Sequence, residues 1–160
     1  READLLVGTH GRSIFKIDLE HVRAVAGDVA DQSLFVFDID VPRFQEGWGT
    51  RRASYVDYRV PSAEIVVYSA SAGEAQLALS DEDGRSLKDW KTQLDAGLNY
   101  LDYDLTVDTE KLRSRRKNNP YADWGPSDDG QTYLREGTYQ ITVTLGSDSA
   151  SSEIELKSGR

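Results

Sequence analysis

Carboxylates are the commonest groups in this chain that could do chemistry. There are 28 acidic residues against 19 basic ones, for a net charge of −9. Asp81, Glu82 and Asp83 stand together before Gly84 and could offer oxygen ligands to calcium. The remaining ligands of a D-x-[DN]-x-[DN]-G-x₅-E loop are missing, so the string reads as a solvated hairpin turn. Asp102 and Asp104 share one face of an alternating stretch, and Asp38 and Asp40 stand elsewhere. Two carboxylates flanking a cleft can do general acid–base work on a glycoside. Two on one strand face are ordinarily its wet side. The chain has only two histidines, His10 and His21, and neither is spaced from a Ser and an Asp as a triad would need. His10 and Arg12 read as residues that fix a turn around Gly11, and His21 as a helix-surface or interface residue. There is no cysteine, which excludes a disulfide, a Cys-ligated zinc and a thiol nucleophile. No cofactor or metal is expected.

Three aromatic residues, Trp48, Tyr121 and Trp124, fall in segments rich in turn formers. Rings on loops can stack on sugar faces, and the end of a β-sandwich is a natural place for them. The plainer reading is that they pin long loops to the domain surface. Trp90 lies on an expected strand and should be partly buried. A basic run, Lys111, Arg113, Arg115, Arg116 and Lys117, interrupts the acidic background. It reads as a solvated helix face that could also meet acidic residues or an anionic glycan.

These groups need elements to hold them. Residues 97–105 (GLNYLDYDL) and Gly137–Leu145 (GTYQITVTL) alternate apolar with polar side chains. That period of two marks strands with one buried face, and both are expected to be central in a sandwich. Residues 63–69 and 74–80 read as further strands. Residues 81–85 (DEDGR) read as the turn between residues 74–80 and a returning strand from Ser86. Residues 33–38 and 150–157 complete the set. Residues 39–52 are loop-like, and residues 53–59 alternate only weakly. Residues 106–131 exceed the 12–15 or so residues that unstructured loops usually reach, with a short helix expected at 110–117. Before all this, residues 4–8 and 13–18 read as a hairpin. Residues 19–26 read as about two helical turns, with Asp18 as N-cap and Gly27 as the stop.

The chain of 160 residues suits an all-β, immunoglobulin-like antiparallel sandwich at 33–160, preceded by a hairpin and linker helix at 1–27. The acidic balance argues against nucleic acid as a partner, because phosphate contacts need a basic surface. No apolar run approaches the roughly 20 residues of a membrane span. The chain opens on Arg1 and contains no methionine, and it reads as a fragment of a longer protein.

Residues 4–18, DLLVGTHGRSIFKID, carry a resemblance. The string Gly8-Thr9-His10-Gly11-Arg12, followed by Phe15 and Asp18, resembles the last-blade signature of sortilin-like, BNR-repeat β-propeller proteins. The rest resembles the immunoglobulin-like domain of flagellar hook-capping proteins. Its landmarks are a D-x-x-G turn (Asp81 to Gly84), a G-L-N strand (GLNYLDYDL) and a late G-T-Y strand (Gly137, Thr138, Tyr139). Residues 106–131 are longer than that pattern. Ser127 to Tyr133, SDDGQTY, is one residue short of an Asp-box, which in any case is a turn-stabilising element. The resemblance implies a secreted or envelope-associated parent of a kind often labelled glycosyl hydrolase-like, with any active site over a propeller outside this sequence. It implies a non-catalytic accessory domain whose first partner is its own upstream propeller. Carbohydrate is a second candidate partner, and the hairpin could support a dimer.

Overall fold

The computed structural model describes residues 4–8, 14–113 and 119–159, with side chains from Leu19 onward. Strands β1 (Asp4–Gly8) and β2 (Ile14–Asp18) pair antiparallel, Asp4 opposite Asp18 and Gly8 opposite Ile14. They form a two-stranded sheet of their own; of the two pairings open to such a hairpin, with a sheet edge of the same chain or with one of a neighbouring copy, the first is not seen among the described strands. Helix α1 (Glu20–Ala24) follows. Its N-cap is Leu19 and no side chain caps it, contrary to the cap expected of Asp18. A wider helical turn over Val25–Val29 continues it, and Gly27 (φ −114°, ψ −119°) breaks the regular path, as a residue without a side chain readily does.

The sandwich consists of two antiparallel sheets. The four-stranded sheet has the order β11–β10–β5–β6, built from β5 (Gly73–Asp81), β6 (Ser86–Leu94), β10 (Gly137–Leu145) and β11 (Asp148–Leu156). The three-stranded sheet has the order β3–β4–β7, built from β3 (Leu34–Val36), β4 (Ala63–Ser69) and β7 (Gly97–Tyr103). A short pair, β8 (Thr106–Val107) with β9 (Thr132–Tyr133), brackets the long segment that contains α2 (Thr109–Leu112). The fold is therefore an all-β antiparallel sandwich.

Period-two burial explains why these residues make these strands. On β10, Tyr139, Ile141 and Val143 are buried and meet Leu77, Leu79 and Ala75 of β5 and Ile154 of β11 in one core. Ile65 and Val67 of β4 close that core from the other sheet. Such apolar burial contributes about 25 cal/mol per Å² removed from water.

Two expectations are corrected here. β10 is central, with β5 and β11 on either side, but β7 is an edge strand bonded only to β4. Alternation reports a buried face and says nothing about how many neighbours a strand has. β7 also ends at Tyr103 rather than Leu105, because Leu105 takes a left-handed backbone (φ 57°) that turns the chain toward β8 while its side chain stays fully buried. The outer face of the three-stranded sheet is partly covered as well. Val29 and Ala24 pack there on Val66, Phe37 and Leu98. His21 sets its ring edge-on to Phe37 at 4.6 Å and to Tyr100 at 6.0 Å.

Candidate functional site

The chemistry-bearing groups gather at one end of the sandwich, where the β5–β6 turn meets the segment between β8 and β9. The turn forms because Gly84 supplies φ +76° and its amide reaches Asp81 O at 3.0 Å. It delivers Arg85, a residue the sequence pattern did not single out. The Arg85 guanidinium lies 4.8 Å from the centroid of the Tyr121 ring. Its Nη1 donates to Asn119 Oδ1 at 3.1 Å, and its Nη2 to the carbonyls of Lys111 at 2.6 Å and Leu112 at 3.1 Å. Those carbonyls end α2, so a cation there satisfies acceptors the helix leaves open. Asn119 Nδ2 donates to the same Leu112 carbonyl at 2.9 Å. One arginine thus ties together both sides of the long segment.

Tyr121 completes the clamp. Its hydroxyl donates to Asp81 Oδ2, and Asp81 Oδ1 accepts the Arg85 amide at 2.8 Å. Burial, and then the Asp81 carboxylate, push the Tyr121 phenol well above its ordinary range. Both Asp81 oxygens are therefore occupied by the fold, and no group of three or more His, Cys, Asp or Glu suited to a metal occurs among the described residues.

Of the three aromatic candidates, Tyr121 and Trp124 come together and Trp48 stands apart. Tyr121 and Trp124 meet edge to face at 4.9 Å. Arg135 covers Trp124 at 5.6 Å and donates to Asp123 O at 2.7 Å. Trp48 is only 5% exposed and packs edge-on to Phe44 at 5.4 Å and Tyr133 at 6.3 Å. It is a core residue and offers no open ring face. Trp90 is partly buried, stacked on Tyr103 at 5.2 Å with Lys88 nearby. The turn residues His10, Gly11 and Arg12 lie outside the described residues.

Tyr121, Trp124, Phe44 and Tyr139 line a groove of about 510 Å³, with Asp81, Glu82, Asp83, Arg135 and Glu136 also on its walls. Glu82, Asp83 and Glu136 are exposed and make no hydrogen bond or ion pair with the described residues. The Tyr139 hydroxyl donates to Arg135 O at 2.9 Å, and burial pushes its pKa up to about 12. The other carboxylates singled out from sequence do not converge on it. Asp102 sits opposite Glu64 in the β4–β7 register. Asp104 accepts from Thr106 Oγ1 at 2.6 Å and Thr106 N at 3.2 Å, and pairs with Lys88 at 3.3 Å. Burial opposes its ionisation, but these donors outweigh burial and hold the carboxyl below its usual range. Asp38 and Asp40 lie in a separate depression beside Glu153 and Glu155.

The SDDGQTY string forms a side-chain-stapled turn. Asp129 Oδ1 accepts from Gln131 N at 2.9 Å, and Asp129 Oδ2 accepts from the Tyr133 hydroxyl. Of the basic run, Lys111 donates to Asp89 and to Ser86 Oγ at 2.7 Å, and Arg113 pairs with Glu110 at 2.7 Å. Arg115, Arg116 and Lys117 lie outside the described residues.

No protein-family model matches this chain, and no curated protein matches it. Among solved structures it is similar to a β-glucosidase from Listeria innocua in complex with gluconolactone, at 12% identity and a TM-score of 0.29. That alignment covers 75% of this chain and 16% of the β-glucosidase. A likeness at that level carries no argument about activity.

Proposed function

We propose that this chain is a non-catalytic accessory β-sandwich, an interaction domain that serves a larger secreted protein of the BNR-repeat, sortilin-like propeller type. The observation that carries the reading is the burial of the candidate rings. Trp48 is 5% exposed and Tyr121 9%, both within the main core, so they hold long loops in place and form no open stacking platform. The carboxylates point the same way. Asp81 and Asp104 are spent on hydrogen bonds within the fold, and Glu82, Asp83 and Glu136 stand on an exposed rim. A glycosidase pair needs one carboxyl walled from water and a second at a fixed distance across a cleft. In this reading the β1–β2 hairpin completes the last blade of the propeller, and α1 docks the sandwich against it.

Carbohydrate binding is the second reading. It is favoured by the groove, where partly buried Trp124 stands beside Arg135 and carboxylates that no described residue pairs with. Intrinsic tryptophan fluorescence across a panel of oligosaccharides and polysaccharides separates the two. The accessory reading expects blue-shifted emission and no ligand response. Saturable quenching that disappears in Trp124→Ala would overturn it in favour of a carbohydrate-binding module.

A further inference from the structure

Five large apolar side chains are exposed among the described residues, and three of them sit in one loop: Tyr55 at 90%, Val56 at 43% and Val60 at 53%. The same loop carries Arg51, Arg52 and Arg59 against the single Asp57, in a protein of net charge −9. Tyr and Arg are the residues that most often dominate interface energetics. The loop is also held in shape. Gly49 N donates to Arg59 O at 2.8 Å and Arg59 N to Thr50 O at 2.9 Å, closing its stem. Arg51 donates to Ser54 O at 3.2 Å and lies over the Tyr58 ring at 4.8 Å. The backbone that presents Tyr55 and Arg52 is therefore already ordered at its stem, and binding has mainly their two side chains left to fix. Arg52 and the Tyr55 hydroxyl make no hydrogen bond or ion pair with the described residues.

The groove offers the complementary chemistry. Partly buried Trp124 and Phe44 line it beside Arg135, and its rim carries Glu82, Asp83 and Glu136, which make no hydrogen bond or ion pair with the described residues. Loop and groove are neighbours on the molecule. Phe44 lines the groove, and the next residue, Gln45, accepts from Arg59 at the loop stem at 3.3 Å. Two adjacent, mutually complementary patches satisfy the requirement of a two-fold contact, in which each copy presents both surfaces.

We propose that this chain pairs with a second copy about a two-fold axis, Tyr55 and Arg52 of each copy entering the Tyr121 and Trp124 groove of the other. This deepens the reading of the sandwich as an interaction domain. Tyr55 packs against the partly buried Trp124 and Phe44, and Arg52 reaches the carboxylate rim, where a charge-assisted hydrogen bond sets orientation.

Sedimentation velocity of the full chain over a wide concentration range tests it. The parent chain is expected to form a dimer, and Tyr55→Ala to weaken it by about tenfold or more. Arg52→Glu and the double variant Glu82→Arg/Glu136→Arg should each be monomeric alone, and their mixture should recover a heterodimer. The substituted positions are exposed, and unchanged circular dichroism checks that each variant folds. Four results would overturn the proposal. One is a monomer at every concentration. Another is a dimer indifferent to these variants, which would point to the β1–β2 hairpin. The third is a mixture that fails to recover association. The fourth is a monomer whose Trp124 fluorescence responds to an arginine-rich peptide, which would give the groove to an external cationic segment. A monomer would leave the accessory reading intact, since that reading stands or falls on the sugar panel.

Discussion

Arg85 shows how much one side chain can organise. Its guanidinium satisfies two helix-terminal carbonyls and Asn119 while stacking on Tyr121. Arg85→Ala should cost about 2–4 kcal/mol in urea unfolding, because three charge-assisted hydrogen bonds are lost together with the stacking on Tyr121. Arg85→Lys should recover little, since an ammonium has neither the planar fork nor the stacking face. Both variants should shift Trp124 emission to the red. Asp104 makes a pH prediction at the same scale. Its carboxyl is held low in the folded state, so its contribution is present above the ordinary Asp range and lost as pH falls through the folded value. The group is about half exposed, which keeps the effect small. Thermal melts from neutral pH into the acid range should fall less steeply for Asp104→Asn than for the parent. Parallel curves would count against the Thr106 and Lys88 arrangement.

At the scale of elements, two glycines with the same backbone need face different surroundings. Gly49 has φ +73°, and a Cβ there would sit 2.4 Å from Ser127 Cβ and 2.7 Å from the Tyr133 ring. The loop from Gly47 onward docks on the Asp129 turn through that gap. Gly84 has φ +76° and open space around it. Gly84→Ala should therefore cost only the left-handed backbone, about 1–2 kcal/mol. Gly49→Ala should cost clearly more, because steric overlap with backbone-anchored neighbours adds to the same strain. Chemical denaturation of both variants decides this, and equal losses would show that the two segments are not docked. Sequence alone placed Gly84 in a turn and Gly49 in a loop-like stretch. It could not rank them, because the crowding at Gly49 comes from Ser127, Asp129 and Tyr133, far along the chain.

At the scale of the whole molecule, the two sheets share one core, and several tyrosines are buried in or beside it. Burial first, and then the neighbouring Asp104 carboxylate, raise the Tyr103 phenol well above its usual value. Tyr121, Tyr133 and Tyr139 are raised for the same leading reason. The sign follows directly. A raised folded pKa gives stability that is complete below the unfolded value near 10 and is lost as pH climbs through the folded values. Spectrophotometric titration should show these tyrosinates forming only as the sandwich opens, in step with loss of the β-sheet circular dichroism signal. Tyrosinate from these residues in a still-folded sandwich would refute the packing described. Truncating the shared core should be costly too. Leu77 is fully buried, and Leu77→Ala should lose about 2–5 kcal/mol.

What the sequence determined by itself was local. The period of two located β10 to the residue, the strand read at 63–69 has the bounds of β4, and the Asp-Gly string located the β5–β6 turn, because side-chain direction in a strand and turn geometry depend on neighbouring residues. It also singled out Trp48, Tyr121 and Trp124 as loop rings, with sugar stacking and loop pinning as the two readings. Only the tertiary structure decided that Trp48 is interior, that β7 is an edge strand and that Leu105 bends the chain. The same holds for Arg85, which reaches from a turn to a segment more than 25 residues on. The reason is physical. These outcomes are set by contacts between residues far apart in sequence, and hydrophobic periodicity carries no record of which distant partner a buried face or a charged side chain will meet.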